Sequence, residues 1–517
     1  MKAQSARRWW ALGAVSLGVL AVGLDGTVLT VALPTLAKSL HASESDLQWF
    51  TSGYFLVLAA AMLPAGLLGD RFGHKKVLAI AIGLFGLGSI ACAFSTSVGE
   101  FLAARVLLGL AGAGVVVMAI SALTVLFSKE ERPKAVGIWA AANFLSLPIG
   151  PILGGWMLSH FWWGWVFLIN APVAAIGVVA LLTLVPESRA ADRPGFDGVG
   201  IVLSIAGLVA LTYGLIEAGE QGWSNATALV VMFVGVVVLV GFGAWERIVS
   251  RRPGGQPLLD LSLFRSASFT WGVILAAFAV LAMIGVLFTM PQYFQGVVGT
   301  DAMGSGLRLL PVILGLVLGA VPAERVVRVA GAKVVAAAGF VLLAVGLFVG
   351  STTGVTSSVA FIAIWMGVAG MGLGLALSTS TSAALVELSE ERSGVGSAVL
   401  QAVNKVGGPL GTAILGSALS SIYLSRLVLT GLPATAASAV KQSVFAGVAV
   451  AQEVGSASLL HIVRTAFTDG MDMALLVSAG IAAVGLVLTV VFLPRSNTVQ
   501  DNRVMRSVEE PELARVK

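Results

Sequence analysis

Three charged side chains lie deep inside apolar stretches of this sequence: Asp25 in AVGLDGTVLTVALP, Arg105 in RVLLG and Lys405 in LQAVNKVGG. A carboxylate in a bilayer costs roughly 2.5–3.5 kcal/mol on insertion scales. Protonation removes most of that cost. The chemistry such a residue suits is therefore reversible proton binding in competition with a cation. The other reading is a structural hydrogen bond to a neighbouring helix. Arg105 is the expected partner, because the stretch holding Asp25 runs outward, the one holding Arg105 returns inward, and both residues fall in the outer half. A guanidinium nearby favours the charged carboxylate, against the push of burial. Lys405 has Gln401 one turn before it and Asn404 beside it, so the face 401/405/408 is a candidate cavity wall.

Other chemistry finds no support. There is no G-x-x-x-x-G-K-[ST], so no P-loop for ATP, and no H-E-x-x-H. The four histidines are scattered, and GMGLG at 370–374 sits inside an apolar run with no strand before it. The inner loops offer basic residues but no nucleophile–base set, which an embedded enzyme or sensor would need. No metal or cofactor is expected. Cys92 is the one cysteine, so no disulfide framework is possible.

The elements that position these residues follow from composition. The 517 residues are 57% apolar and only 11% charged, against about 25% charge in a soluble domain. Apolar runs long enough to span a bilayer recur throughout. Their approximate bounds are 10–34, 47–69, 77–96, 100–126, 134–158, 165–185, 199–217, 226–246, 269–293, 306–323, 333–351, 358–380, 394–423 and 472–493. The class is an all-α polytopic membrane protein with fourteen transmembrane helices. The basic, apolar start is read as the first span and not as a cleaved signal, since the run is long and no cleavage site follows. With both termini cytoplasmic, 24 of the 31 lysines and arginines fall in inner segments, the arrangement that positive charge prefers. The net charge of +5 thus speaks of topology and not of nucleic acid.

Two connections are long. RIVSRRPGGQPLLDLSLFRSASF links spans eight and nine on the inner side. The outer one, 424–471, has helical composition over 434–451 and 456–467 with Gly455 between, which predicts a helical hairpin outside the membrane; a disordered loop is the alternative.

Several motifs then carry a resemblance. GLLGDRFGHKK (66–76) resembles the signature loop of the major facilitator superfamily, and RVLLG (105–109) its R-x-x-x-G motif. GPILGG (150–155) is similar to the G-P-x-x-G-G motif of its drug antiporters. LDGTVLTVALP and WWGWVFLINAP resemble first-span and pre-sixth-span motifs of the fourteen-span drug:proton antiporter branch, the latter with Gly164 where Arg is usual.

The resemblance implies two six-helix bundles, 1–190 and 269–517, with two linker helices and a cytoplasmic loop in 191–268. It implies a proton-coupled multidrug exporter in the bacterial cytoplasmic membrane: a secondary transporter, not an enzyme. Its partners would be protons and small drug-like molecules, with no nucleic acid, and a monomer is expected. Asp25 and Arg105 would couple protons. Gly66, Asp70, Arg71, Gly73 and Lys75 would form a conformational gate loop, and Gly150, Pro151, Gly154 and Gly155 a hinge or seal. Trp49, Tyr54, Trp139, Asn143, Tyr293, Gln401, Asn404 and Lys405 would line the cavity, although packing competes for each aromatic. The best-known Gram-positive quaternary ammonium exporters carry extra acids at positions that are here Ser52, Leu316, Leu400, Gln401 and Lys405. That departure favours monovalent lipophilic cations over dications. Export of an endogenous lipid, siderophore or antibiotic on the same fold is the rival. GGPLG (407–411) faintly echoes GPILGG, and ERVVRVAGAK after span ten is at most a worn copy of the 66–76 loop.

Overall fold

The computed structural model describes residues 2–127, 131, 135, 146, 149–185, 187, 197–252, 261–386 and 390–494; at some helical positions, Asp70, Lys405 and 390–398 among them, only the backbone is described. Trp139 and Asn143 lie outside the described residues. Among those described, all regular structure is helical. The first half holds α1 (Lys2–Leu40), α2 (Glu44–Phe72), α3 (His74–Ala93), α4 (Val98–Leu126), α5 (149–160), α6 (Trp165–Leu168) and α7 (Asn170–Leu184). Two helices follow, α8 (Gly198–Gln221) and α9 (Ala226–Arg251). The second half holds α10 (Ala267–Gln292), α11 (Ala302–Arg308), α12 (Leu310–Ala330), α13 (Ala332–Gly350), α14 (Val359–Val386), α15 (Glu390–Arg426), α16 (Ala434–Gln442), α17 (Val444–Glu453) and α18 (Ala457–Phe492).

Eleven stretches among the described residues are long and apolar enough to cross a membrane. The more polar α2 and α15, of 29 and 37 residues, come in addition. Sequence sets where the helices start. Ser43, Ser97, Asn225, Ser266 and Ser456 each accept a backbone N–H of the first turn, satisfying a donor that the helix leaves open. Ser43 and Asp46 complete a reciprocal capping box. One glycine at positive φ suffices to turn the chain between long helices: Gly73 (φ 105°) between α2 and α3, and Gly331 (φ 83°) between α12 and α13.

The two halves repeat one packing scheme. In the first, α4 lies against both α2 and α3; in the second, α14 lies against both α12 and α13. Close backbone approach builds the second set. A Cβ on Gly315, Gly319, Gly370 or Gly374 would collide with backbone of the facing helix. The halves meet along α2 and α15, with smaller contacts of α1 on α10, α11 and α17. The pair α8–α9 lies outside both halves, with α8 touching α15 and α2 while α9 is the least buried spanning helix.

Two expectations need correction. The stretch 456–467 is not a separate helix. It forms the first turns of α18, which runs unbroken for 36 residues past its charged positions Arg464, Asp469 and Asp472. Asp469 is paired with Arg426 of α15 at 3.3 Å, so the charge is met without breaking the helix. Nor is 434–451 one helix. It breaks at Ser443, which is extended (φ −164°, ψ 163°) and caps α17 with its hydroxyl. The Tyr423 hydroxyl sits at this break, 2.7 Å from the Val440 carbonyl and 3.2 Å from that of Ser443.

Candidate functional site: a buried ion pair between α1 and α4

α1 and α4 bring Asp25 and Arg105 together. Arg105 Nη1 donates to Asp25 Oδ2 at 2.5 Å, and both side chains are wholly buried. Two further contacts fix the guanidinium from α2. Nε donates to the Phe50 carbonyl at 3.1 Å, and the group lies over the Tyr54 ring, 4.1 Å from its centroid. A cation over a ring face is attracted to it, more so away from water. Tyr54 is held in turn by its hydroxyl, which donates to the Val22 carbonyl at 3.2 Å, one turn before Asp25. Asp25 Oδ1 and Arg105 Nη2 have no hydrogen-bond partner among the described residues.

The arrangement is a charge pair with one bond made and one acceptor and one donor spare, inside the packing of α1, α2 and α4. Gly109 and Gly112 make room for it. A Cβ at 109 would meet the Tyr54 carbonyl at 2.8 Å, and one at 112 would press on Leu58 and Val22.

α5 carries Gly150, Pro151, Gly154 and Gly155, and it touches both halves. A Cβ on Gly150 would strike Thr27 Oγ1, and one on Gly154 would strike Val28 at 2.8 Å, both on α1. Thr27 Oγ1 also donates to the Ser146 carbonyl at 2.9 Å. On the other side, a Cβ on Gly155 would lie 2.7 Å from the Ala302 carbonyl, and one on Gly306 would strike the Pro151 carbonyl. The motif therefore lets α5 lie in backbone contact with α11.

The 66–76 loop sits at the opposite end of the bundle from the 41–43 turn. A Cβ on Gly66 would be in ordinary contact with Val117, whereas one on Gly69 would collide with the Met118 sulfur, so α2 packs closely on α4 there. Lys75 Nζ donates to the Leu182 carbonyl in the last turn of α7 at 2.8 Å, where a cation meets the negative helix end. Arg71 is exposed beside Phe72, and Asp70 falls in the last turn of α2.

The expected cavity residues are dispersed. Tyr54 belongs to the ion-pair site. Tyr293 is wholly buried at the end of α10 and donates to the Gly354 carbonyl at 2.8 Å. Trp49 packs on α8, 6.4 Å from the Tyr213 ring. Gln401 and Asn404 are half-buried on α15, and Asn404 Oδ1 has no partner among the described residues. Sequence reading missed the part α2 plays in holding Arg105. The Phe50 contact is made by a backbone carbonyl, and nothing in its type or spacing sets Tyr54 apart from other mid-span aromatics.

The chain has relatives among known proteins. Residues 15–412 match the Major Facilitator Superfamily. The chain belongs to the major facilitator superfamily. It is thus a multi-pass membrane transporter and not an enzyme.

Among relatives of this superfamily member, the tetracenomycin C resistance and export protein of Streptomyces glaucescens is 32% identical, over 92% of this chain and 90% of that one. The multidrug efflux pump LfrA of Mycolicibacterium smegmatis is 32% identical over 93% and 96%. The methyl viologen resistance protein SmvA of Salmonella typhimurium is 31% identical over 82% and 85%. The fold matches a solved inward-facing, unoccupied bacterial homolog of the human lysosomal transporter Spinster, with a TM-score of 0.65 at 15% identity over 94% of this chain and 97% of that one.

Proposed function

We propose that this superfamily member is a proton-coupled exporter of lipophilic cations, monovalent ones foremost, across the bacterial cytoplasmic membrane. The buried Asp25–Arg105 pair carries the reading. A proton arriving at Asp25 cancels its charge and releases the 2.5 Å bond. Arg105 does not then drift, because the Phe50 carbonyl and the Tyr54 ring still hold it. It stays ready to reclaim the carboxylate when the proton leaves. The site thus has two discrete states differing by one proton, which is what coupling to a rocking motion requires. The driving force suffices: one charge moved across 100 mV is worth about 2.3 kcal/mol.

The reading has fourteen spans, both termini cytoplasmic, bundles in 1–190 and 269–517, and linker helices in 191–268. The eleven apolar stretches together with α2, α5 and α15 support that count. The 41–43 turn and α16–α17 then face outward. Gln401, Asn404 and Lys405 line the substrate path, and the 66–76 loop gates its inner end. Drug-efflux relatives support export over import.

The test is proton release from energised everted vesicles on adding ethidium or tetraphenylphosphonium. Wild type should release protons, and Asp25→Asn, present in equal amount, should not. Full release by the mutant would end the mechanism. A second reading, export of a compound made by the host itself, is favoured by the antibiotic export protein among the relatives. A neutral compound that competes with ethidium efflux, with no cation preference, would select it.

A further inference from the structure

A second buried carboxyl lies at the start of α2, where the halves meet. Glu44 opens α2 and is 5% exposed. The amide of Gln292, at the end of α10 in the other half and itself wholly buried, donates Nε2 to Glu44 Oε1 at 3.2 Å. The same amide carries an oxygen, Oε1, with no hydrogen-bond partner among the described residues. A carboxylic acid and an amide can satisfy each other through two bonds, N–H to carboxyl oxygen and carboxyl O–H to amide oxygen. The first bond is present. The second needs a proton on Glu44.

We propose that Glu44 is a second proton-carrying group of the transport cycle, and that its protonated form pairs doubly with Gln292 to close the outer end of the transporter. The orientation, though not the proton coupling at Asp25, is taken from the reading above.

Two other bonds cross the seam at the same end. Gln295 Nε2 donates to the Val31 carbonyl at 3.1 Å, and Gln48 Nε2 to Ser420 Oγ at 3.4 Å. Gln292 and Gln295, three residues apart, both reach the first half where α10 passes into a π-helical turn, Tyr293–Val297, just after Pro291. Of the groups making these bonds, Glu44 alone titrates. Ionised, it brings a charge into a buried seam opposite a bare amide oxygen; protonated, it supplies the donor that oxygen lacks. A proton taken from outside therefore favours closure on that side.

Other charged and titratable groups flank this end. Asp46 caps its own helix with Ser43, and Lys38 and His41 end α1 at the surface. Tyr423 of α15 bonds the α16–α17 break, and Tyr293 bonds Gly354. On α18, Asp469 is held by Arg426, while half-buried Asp472 and Arg464 each keep a buried atom, Oδ1 and Nε, without a hydrogen-bond partner among the described residues; a pH shift that survives in Glu44→Gln would belong to such a group. Glu217 of α8 is bonded by Gln221, and Arg105 is committed to Asp25.

The test uses spin labels on Ser39→Cys and Val298→Cys, exposed positions on either side of the seam, the native Cys92 being buried. Distances are read in lipid nanodiscs across pH. In the otherwise unaltered chain the long-distance fraction should rise with pH, the open-to-closed ratio changing by at most about tenfold per pH unit for one proton. Glu44→Gln, permanently neutral and still able to pair, should stay short at every pH. Gln292→Leu should be long at every pH and checks the pairing should the first variant fail to fold. In Asp25→Asn the pH shift should persist. No pH shift in the parent, or an unchanged shift in Glu44→Gln, overturns the proposal. A shift lost in Asp25→Asn and kept in Glu44→Gln would assign it to Asp25 and leave the antiport reading standing.

Discussion

At the scale of single residues, the Asp25–Arg105 pair is worth more intact than its parts suggest. Removing one partner of a buried pair strands the other charge and typically costs about 3–5 kcal/mol, whereas neutralising both costs far less. Arg105→Ala should therefore lower the melting temperature of the detergent-purified protein sharply. Asp25→Asn combined with Arg105→Gln should recover most of that loss while remaining inactive in proton release. If the double variant melts as low as Arg105→Ala, the pair is not the source of the instability. The pair itself was legible in the sequence, because a charge inside an apolar run stands out and helices running in opposite directions can be matched by depth. Its support was not. The Phe50 carbonyl is a backbone atom that no residue type announces, and Tyr54 looks like any mid-span aromatic. Glu44 and Gln292 were missed for a related reason: each lies at the end of an apolar run, where a polar residue looks like an ordinary boundary.

At the scale of elements, the GPILGG motif reads as a contact surface on both faces of α5. Gly150 and Gly154 face α1, and Gly155 faces α11. Gly155→Val would place a branched side chain within 2.7 Å of the Ala302 carbonyl, with backbone and not a flexible side chain in the way. The expected outcome is protein present in the membrane at normal amount with ethidium efflux lost, since α5 and α11 can no longer meet. Efflux at the parental rate would mean that this contact is not used in the cycle. Gly154→Ala presses on the side chains of Val28 and Val31 and on no backbone atom, and should do less. The worn copy of the 66–76 loop is also instructive. ERVVRVAGAK has Arg328 where the first loop has Asp70 and keeps little of the pattern, yet Gly331 makes the same one-residue turn as Gly73. What the second half keeps is the backbone geometry that joins two antiparallel helices. Letters are a poor guide to that geometry when one glycine is all it needs. Conversely, helical composition alone could not locate the breaks in the 434–492 region, because a single capping serine decides where α16 stops and α17 starts.

At the scale of the whole molecule, the proposed orientation predicts which side of the membrane each loop meets. A membrane-impermeant thiol reagent should label Ser39→Cys and Thr435→Cys, both at exposed positions, in intact cells, and Lys76→Cys only in everted vesicles. Labelling of Lys76→Cys from outside would reverse the topology. The helices α8 and α9 add something that the two bundles alone do not. Ser417 of α15 donates to the Leu215 carbonyl of α8, and a Cβ on Gly219 would collide with the Ser417 backbone, while α8 also lies against α2. The α2–α15 junction is thereby roofed along one flank by two extra helices, whereas the α5–α11 junction on the other flank rests on bare backbone contact. The protein is consequently lopsided in the plane of the bilayer. Bilayer pressure on the first flank falls on an extra pair of helices, and among the described residues the second flank has no such added pair.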